Sequence, residues 1–449
     1  MSRSDSVLLP KARIHGGVMP GHYKNTAESP SVVMPPPKFV TILMSQHIGA
    51  ACVPCVKKGD KVFVGTKIGD SDRLVSAPIH SSVSGTVSDI VDLLSLRGTH
   101  SEAVVIESDG EMTPDPSIAP ITVTTHEELV AAARECGLVG LGGAGFPAHV
   151  KLAKGEKPLD YLIINGAECE PFITTDYREC IENPRDIFEG VYLLKKIMGI
   201  KEVVIAIEEN KPKAIEILHS IASDAKDSDG TVNIMKLKSR YPQGAEKTLI
   251  YTVTGRKLPL GKLPAEVGCV VMNITSIATL NRYIRTGMPL VSKRLTVDGG
   301  AISKPCNVIV PIGTSVKDVI EFCGGLKGTA ERILFGGPMM GVALENTDTP
   351  VLKQNNAILA LTKENLGNKR TVPCICCGRC ISACPMGLNP SACEKALSRS
   401  NTDEIASLHA EYCIECGSCS YICPSARPLT QAMQVCKDRL RKSTQKGGK

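Results

Sequence analysis

The chain has 449 residues, a hydrophobic content of 43%, no tryptophan and a formal net charge of +6 at pH 7. This length suits about three domains, and no apolar run approaches the ~18 residues that a membrane-spanning helix requires. The basic residues are dispersed and do not alternate with aromatic side chains, so we expect no nucleic-acid partner. The N-terminus lacks the apolar core and cleavage site of a secretory signal, which predicts an intracellular protein with reduced thiols.

The first quarter of the chain predicts short strands. Residues 1–38 are rich in glycine and proline, and we expect them to wrap another domain. Residues 39–110 place apolar residues between glycine turns, as in GDKVFVGTKIGD and APIHSSVSGTVSDIV, which is a strand pattern. The pattern resembles the barrel-sandwich hybrid of lipoyl and biotinyl domains. Those domains carry a modified lysine at a hairpin tip, and the matching stretch DSDRLV has none, so we expect a structural role. Cys52 and Cys55 form a lone CxxC, which we interpret as a bystander in preference to a redox or metal site.

From residue 121 the pattern changes to helices alternating with strands. Thr125 and Glu128 form a capping box at the start of TTHEELVAAAREC, which predicts a helix. Strands are predicted at DYLIIN, EVVIAIE, NIMKLK and VVMNI. Helices are predicted at NPRDIFEGVYLLKKIMG, PKAIEILHSIA, AEKTLIYTVTG and TSIATLNRYIRTG. This alternation indicates an α/β domain with parallel strands. Residues 296–345 return to β character around a helix at SVKDVIEFCGG, which predicts a compact β-grasp-like unit.

Two cysteine runs near the C-terminus are the most specific feature of the sequence. Each has the spacing Cys-x2-Cys-x2-Cys-x3-Cys-Pro, which is the ferredoxin-type ligand run for a [4Fe–4S] cluster, and the fourth cysteine of each run ligates the other cluster. We therefore predict one cluster on Cys374, Cys377, Cys380 and Cys423, and a second on Cys413, Cys416, Cys419 and Cys384. A zinc site needs only two short cysteine pairs, and disulfides do not suit an intracellular chain. Cys376 is out of phase and is interpreted as a bystander.

A glycine-rich loop follows the first predicted helix. GLVGLGGAGFP contains Gly140, Gly142, Gly143 and Gly145, three of which satisfy G-x-G-x-x-G. A helix precedes the loop where the Rossmann fingerprint requires a strand, so we reject that assignment. Glycines at this density let backbone N–H groups approach a phosphate or a flat ring, although composition alone fits a mobile loop equally well.

An acidic segment follows the first strand of the predicted parallel sheet. Asn165, Glu168 and Glu170 come directly after DYLIIN. Ligands of open α/β sheets bind beyond the carboxyl ends of the strands. Carboxylates at that position bind ribose hydroxyls or an amide, and on a surface loop they are equally often solvated.

Together these segments resemble the flavin-bearing NADH-oxidising subunit of respiratory complex I. GLGGAGFPAHVK is similar to its flavin loop and NGAECEP to its acidic segment, and YPQGAEKTLI and VMNITSIATL fall in register with it. The region of SVKDVIEFCGG resembles the ubiquitin-like SLBB domain of that family. Two clusters in place of one, and the N-terminal barrel-sandwich segment, depart from complex I. Both features, with IHGGVMPGH near the N-terminus, are similar over the whole chain to the C subunit of the Rnf complex, the ion-translocating ferredoxin:NAD oxidoreductase.

The resemblance implies which residues hold the flavin and the nucleotide. It implies FMN contacts at Gly140, Gly142, Gly143, Gly145, Lys151, Asn165, Tyr241, Gly244 and Asn273, with Lys151 near the phosphate. It implies contacts with NAD(H) at Phe146, Glu170 and Glu246, with Glu168 in the same acidic segment and Glu170 beside the reacting nicotinamide. Ala167 and Ala245 stand where the complex I subunit has acids.

The expected function is an electron relay from NAD(H) through FMN and two [4Fe–4S] clusters to a membrane partner. A flavin is needed because nicotinamide exchanges two electrons and a cluster exchanges one. The resemblance implies other Rnf-type membrane subunits and a ferredoxin-fed iron–sulfur subunit as partners, with peripheral attachment to the cytoplasmic face of the cell membrane. The alternatives are a diaphorase subunit of a soluble hydrogenase or formate dehydrogenase, and a non-catalytic electron-transfer subunit. The glycine loop and Lys151 speak against the last of these.

We expect an α/β multidomain chain with five parts. They are an N-terminal extension with a barrel-sandwich hybrid (1–115), an FMN/NAD-binding α/β domain (121–295), an SLBB β-grasp domain (296–362), a helical ferredoxin-like domain with two [4Fe–4S] clusters (368–436) and a basic tail (437–449). The tail carries six basic residues against Asp438. We expect it to be a loose end in preference to a membrane contact, because termini are usually poorly ordered.

Overall fold

The computed structural model describes residues 7–96, 98–155, 157–224, 232–367 and 370–447. Four sheets of six, four, four and three strands organise these residues. Among them, no helix combines the length and the hydropathy needed to cross a bilayer.

The N-terminal segment runs across other parts of the molecule before it reaches its own domain. Val18 forms a bridge with Tyr241 of the α/β domain, and the N–H of Gly17 donates to the carbonyl of Ala383 in the cysteine-rich region at 2.9 Å. Strand β1 (Val32–Val33) then pairs in parallel with a strand of the β-grasp sheet. The prediction that this segment wraps another domain is confirmed for residues 7–38, and residues 1–6 lie outside the described part of the chain.

Two small antiparallel sheets form the barrel-sandwich unit. Their strands are β2 (Phe39–Leu43), β3 (Val53–Pro54), β4 (Lys61–Val62), β5 (Lys67–Asp70), β6 (Ile79–His80), β7 (Gly85–Leu94) and β8 (His100–Ser108). The orders are β2-β8-β7-β4 and β3-β5-β6, and the core between the sheets is mainly valine and isoleucine. Cys52 is buried while Cys55 is exposed, an arrangement that favours the bystander interpretation of this pair.

The α/β domain is built on a parallel sheet of order β11-β10-β9-β12. Its elements are α1 (His126–Glu135), α2 (Ala148–Leu152), β9 (Tyr161–Gly166), α3 (Thr175–Glu182), α4 (Pro184–Met198), β10 (Glu202–Glu208), α5 (Pro212–Asp224), β11 (Val232–Leu237), α6 (Glu246–Thr254), β12 (Cys269–Asn273) and α7 (Ile274–Thr286). Successive residues of β9 feed two different cores, Leu162 and Ile164 on one face and Ile163 on the other. Because both faces are covered, the strands appear as continuous apolar runs in the sequence.

Most of this domain matches the prediction. Every strand and helix predicted between residues 121 and 287 is present, and α1 carries the capping box of Thr125 and Glu128. The short helices α2 and α3 were not predicted. Helix α3 has no side-chain hydrogen bond from its own N-cap, Thr174, so the sequence before it carries no local start signal.

A six-stranded mixed sheet of order β1-β14-β13-β17-β15-β16 forms the predicted β-grasp unit. It contains β13 (Ser292–Asp298), β14 (Cys306–Pro311), α8 (Val316–Phe322), β15 (Arg332–Phe335), β16 (Val342–Ala343) and β17 (Ala357–Leu361). Helix α8 is capped by Ser315, whose hydroxyl accepts the N–H of Asp318. The helix packs into the apolar core of the unit through Val316, Val319 and Ile320.

Short helices surround the cysteine runs, as predicted. They are α9 (Lys363–Leu366), α10 (Arg379–Ala383), α11 (Pro390–Ser398), α12 (Thr402–Ser407) and α13 (Ser418–Ile422), and a longer helix, α14 (Leu429–Gly447), follows the second run. The expectation of a loose end from residue 437 is wrong, because α14 continues to Gly447. Met433 and Cys436 are buried in the local core, and Lys437 donates to the carbonyl of Cys413 at 2.8 Å, so the helix is anchored where the tail begins.

Candidate functional site

Four of the predicted flavin segments meet at one edge of the parallel sheet. Asn165 and Asn273 are register partners at the carboxyl ends of β9 and β12. Asn165 Nδ2 donates to the carbonyl of Gly244 at 2.8 Å, and a Cβ on Gly142 would lie 2.6 Å from Asn273 Nδ2. The glycine loop, the two strand ends and the turn before α6 are therefore in mutual contact.

The glycine loop leaves free space beside its backbone. A Cβ at Gly143 would meet no heavy atom within 4 Å, so packing within the protein does not require glycine there. Gly145 has a φ of 71°, a conformation that glycine adopts without strain. The N–H of Gly140 donates to the carbonyl of Phe146 at 2.9 Å and closes the loop. An open, side-chain-free backbone at Gly143 fits a flat or phosphorylated ligand.

A cation and an anion lie beside this edge. Lys151 of α2 has its Nζ 2.8 Å from Oε2 of Glu246, and both side chains are half-exposed. Glu246 is the first residue of α6, two positions after Gly244. Because the pair is accessible, a ligand phosphate at this position would compete with Glu246 for the ammonium group of Lys151.

Glu168 points into the protein. Its Oε1 accepts the N–H of Asp176 at 2.6 Å, and its Oε2 accepts the N–H of Tyr177 at 3.3 Å, so this carboxylate caps α3 in place of the N-cap side chain. Burial raises the pKa of Glu168, while the nearby ammonium of Lys24 opposes that rise. The structure therefore does not bring Glu168 to the residues at the sheet edge.

Glu170 lies where the α/β domain, the β-grasp unit and the cysteine-rich region meet. Its Oε2 accepts the N–H of Met339 at 3.1 Å, and its Oε1 is 3.4 Å from the Tyr241 hydroxyl, which donates to it. Burial raises the pKa of Glu170 to about 7, and the backbone N–H groups of Met339 and Met340 oppose that shift. Glu246 instead pairs with Lys151, so the two acids that were predicted to contact the nucleotide have different partners.

One cavity in the cysteine-rich region collects four of the predicted cluster ligands. Cys384, Cys413, Cys416 and Cys419 line one cavity. The last cysteine of the first run thus joins three cysteines of the second run, in the crossed arrangement that the spacing predicts. The N–H of Glu415 donates to the sulfur of Cys413 at 3.3 Å, a type of hydrogen bond that sets cluster potentials. We call this the inner cavity.

A second cavity holds the remaining four predicted ligands. Cys374, Cys377, Cys380 and Cys423 line this cavity, together with Cys376. Cys377 and Cys376 are exposed, so we call this the outer cavity. Within the described residues no three His, Cys, Asp or Glu side chains converge on a single metal ion. A cubane binds its four cysteines through four different irons, so its ligands surround a cavity without meeting at one point.

The inner cavity lies against the edge of the sheet. Cys416 shares an apolar cluster with Val18, Tyr241 and Ala383, and Cys169 and Met339 pack on it. A Cβ on Gly417 would be 2.5 Å from the carbonyl of Met339. We call residues 167–173, which carry Glu168 and Glu170, the acidic loop. Tyr241 therefore contacts both the acidic loop, through Glu170, and the region of the inner cavity.

The sequence did not identify two lysines that hold the acidic loop. Lys24 and Lys211 direct their ammonium groups at backbone carbonyls between residues 167 and 173. A single basic residue in a coil segment forms no motif, so the only signal in the sequence was the position of Lys24 close to IHGGVMPGH.

A parallel α/β sheet with an open glycine loop, joined to a β-grasp unit and to two cysteine-lined cavities, is the architecture of flavin- and iron–sulfur-containing oxidoreductase subunits. Comparison with known families agrees. Residues 133–282 match the Nuo51 FMN-binding domain, residues 12–111 the RnfC barrel sandwich hybrid domain and residues 294–343 the SLBB domain.

Similar proteins identify the family. The chain is 44% identical to the C subunit of the proton-translocating ferredoxin:NAD(+) oxidoreductase complex of Clostridium ljungdahlii, over 84% of this chain and 82% of that one. It is 42% identical to the C subunit of the Na(+)-translocating complex of Acetobacterium woodii, over 96% and 98%. It is 37% identical to the C subunit of the ion-translocating oxidoreductase complex of Rhodobacter capsulatus, over 96% and 84%. The chain belongs to the family of Rnf complex C subunits, which confirms the resemblance seen in the sequence.

A solved NAD+-reducing [NiFe]-hydrogenase in the air-oxidized state is also similar. It is 20% identical with a TM-score of 0.47, over 63% of this chain and 54% of the hydrogenase chain.

Proposed function

We propose that this chain exchanges hydride between NAD(H) and an FMN held at the edge of the parallel sheet, and passes electrons through two [4Fe–4S] clusters in the inner and outer cavities. The observation that carries the proposal is the crossed grouping of eight cysteines into two cavities, one of which packs against Tyr241. The names of the relatives, which are parts of ferredoxin:NAD(+) oxidoreductase complexes, support the same reaction.

The residues at the sheet edge have the properties that an FMN needs. Gly143 leaves the backbone open, Lys151 supplies a cation for the phosphate, and the amides of Asn165 and Asn273 lie at adjacent strand ends. FMN supplies the chemistry that links two-electron transfer with nicotinamide to one-electron transfer with a cluster. The protein contributes binding, orientation and the exclusion of water.

Glu170 is the acid best situated to bind the nicotinamide nucleotide. It lies at the end of the turn after β9, and the hydroxyl of Tyr241 and the backbone of Met339 fix its carboxylate. A carboxylate held in this way accepts a hydrogen bond from a ribose hydroxyl or a carboxamide. Glu246, with Phe146 from the glycine loop, would complete the nucleotide side from the opposite segments.

The order of the relay follows from the surroundings of the two cavities. The inner cavity contacts Tyr241 and Met339 beside the acidic loop, whereas the outer cavity opens to solvent at Cys377. Electrons from the flavin would therefore reach the inner cluster first and leave through the outer cluster.

The rim of the outer cavity suits a redox partner. Ile375, which lines this cavity, is 65% exposed, and Ile381 beside it is also exposed. Exposed apolar side chains around a cofactor are typical of a contact surface for another protein. We assign this surface to another subunit of the Rnf-type membrane complex, fed by ferredoxin, which would hold the chain peripherally at the cytoplasmic face of the membrane.

An anaerobic preparation of the full chain tests the proposal. We expect roughly eight irons and eight sulfides per chain, together with non-covalent FMN and NADH–viologen activity. A chain with iron but without flavin or NADH oxidation would instead be a non-catalytic electron-transfer subunit. A chain with four irons would contradict the assignment of the two cavities.

A further inference from the structure

The N-terminal segment clamps the acidic loop that carries Glu170. The N–H of Phe172 donates to the carbonyl of His22 at 3.0 Å. The rings of Tyr23 and Phe172 are stacked with centroids 5.0 Å apart and an interplanar angle of 15°. These contacts join two segments about 150 residues apart in the sequence, and they bring Lys24 directly under the loop.

Lys24 is the centre of this clamp. Its Nζ donates to the carbonyls of Glu168, Glu170 and Ile173 at 2.9, 2.9 and 2.5 Å. A lysine ammonium has three N–H donors and no acceptor, so all of its donors are used on one loop. The side chain is half-buried. Shielding its ammonium group from water without these carbonyl partners would cost folding free energy.

The loop needs such a support because its backbone is unusual. Glu168 and Phe172 have φ values of 46° and 69°, and non-glycine residues adopt that region at a cost. The two strained positions flank Glu170 at equal distance in the sequence. Three carbonyls converging on one ammonium offset that cost and define the direction in which Glu170 leaves the backbone.

Glu170 is therefore held at both ends. Lys24 binds its backbone carbonyl, while Met339 and Tyr241 bind its carboxylate. The flavin side of the loop is tied separately, because Asn165 bonds to Gly244 and to the N–H of Ala167. Loss of Lys24 would thus release the nucleotide side of the loop and leave the flavin side in place.

We propose that Lys24 is a positioning residue for nucleotide binding, which acts by fixing the loop that presents Glu170. This rests on the proposed function, in which Glu170 contacts NAD(H). Lys24 itself touches neither the nucleotide nor the flavin. The N-terminal extension is then a working part of the nucleotide site and not only a wrapping segment.

The test uses the full chain, loaded with FMN and clusters, and the variants Lys24→Met, Lys24→Arg and Lys213→Met. Lys213 is the matched control, since its Nζ pairs with Glu28 of the same N-terminal segment at 3.3 Å without touching the loop. We expect Lys24→Met to raise KM and Kd for NADH by about tenfold or more, because small misplacements of a positioned group are expensive. Turnover at saturating NADH, FMN content and iron content should stay close to wild type.

The conservative variant separates positioning from general support. Arginine keeps the charge, but its planar fork does not match three carbonyls that converge on one point, so Lys24→Arg should raise KM by about threefold. Lys213→Met should bind NADH like wild type. If Lys24→Met binds NADH normally, or loses FMN together with NADH binding, the positioning role is overturned.

Hydrogen exchange on the wild-type chain keeps the proposal testable if Lys24→Met does not fold. NADH should slow exchange of the amides at 167–174 and also at 22–26. Protection confined to 167–174 would contradict the role of Lys24. Two outcomes separate this proposal from the proposed function. A wild-type chain that retains FMN but does not bind NADH would overturn both. A wild-type chain that binds NADH, with a Lys24→Met variant that binds it equally well, would overturn only the role of Lys24.

Discussion

The inner and outer cavities are each lined by three cysteines of one run and the last cysteine of the other, but their surroundings differ. The inner cavity is lined by Leu388 and Met433 and packs against Tyr241, while the outer cavity has Cys377 at the surface and Ile375 on its rim. Repetition of one motif thus produces one site that faces the rest of the protein and one that faces solvent. This difference is the basis for the proposed order of the relay, which the motif alone does not supply.

The largest effect should come from removing one cluster at a time. Cys416→Ala should abolish reduction of the outer cluster by NADH, because in the proposed order the inner cluster links the flavin to the outer one. Cys377→Ala should leave the inner cluster reducible by NADH. EPR spectra of NADH-reduced anaerobic samples measure both, with dithionite as the control that the surviving cluster is intact. Normal NADH reduction of the outer cluster in Cys416→Ala would reverse the proposed order.

The next effect concerns the flavin end of the relay. Gly143→Val would put a branched side chain into the open space beside the glycine loop, so we expect FMN content to fall below about a tenth of wild type with both clusters retained. Gly155→Val is the matched control, since Gly155 is also exposed and a Cβ there would be 3.9 Å from its nearest neighbour. Fluorescence of the flavin released by heating measures the content. Full flavin content in Gly143→Val would remove this loop from the site.

A smaller effect is expected at Glu170, and its pH dependence sharpens the assignment. Because the pKa of Glu170 is raised to about 7, its charged form predominates only above that pH. A hydrogen bond to a charged group contributes about 1.5–3 kcal/mol, so Glu170→Gln should lower kcat/KM for NADH by roughly tenfold at alkaline pH. The difference in kcat/KM between wild type and Glu170→Gln should become smaller below pH 7, where the wild-type carboxyl is itself neutral. NADH–viologen kinetics across pH test this, with Glu111→Gln on the barrel-sandwich surface as the control, and a gap that does not change with pH would contradict it.

The smallest effect should appear on the rim of the outer cavity, where electrons would pass to the partner. Ile375→Asp on the rim of the outer cavity should slow electron exchange with the assembled membrane complex by about threefold, because it puts a charge into an apolar contact. NADH–viologen activity of the isolated chain should not change. Leu94→Asp, at a residue 64% exposed on the barrel-sandwich unit, is the control in membranes that contain the whole complex. Equal rates for both variants would remove this rim from the partner surface.

Regular elements with local signals were predictable from the sequence. Helix α1 has its capping box within four residues, and β9 and the elements from α4 to α7 follow from apolar runs that alternate with amphipathic segments. Helix α3 was missed because its cap comes from Glu168, six residues before its N-cap. The end of α14 was missed because Lys437 is held by a carbonyl 24 residues earlier in the chain.

In the candidate site too, some features were predictable from the sequence and others were not. Spacing alone indicated which cysteines share a cavity, because the motif specifies both the ligands and the crossing. The inward direction of Glu168 and the support of the loop by Lys24 depend on contacts between distant segments. A run of acidic residues after a strand therefore cannot separate the acid that caps a helix from the acid that faces a ligand.

The crossed ligation of two clusters is the central claim, and Cys384→Ser tests it most directly. Cys384 belongs to the first run in sequence and to the inner cavity in space. We predict that the variant loses the cluster of Cys413, Cys416 and Cys419 and retains roughly four irons per chain, with the EPR signal of the outer cluster unchanged after dithionite reduction. Loss of the cluster of Cys374, Cys377 and Cys380 instead, with the inner cluster intact, would contradict the account.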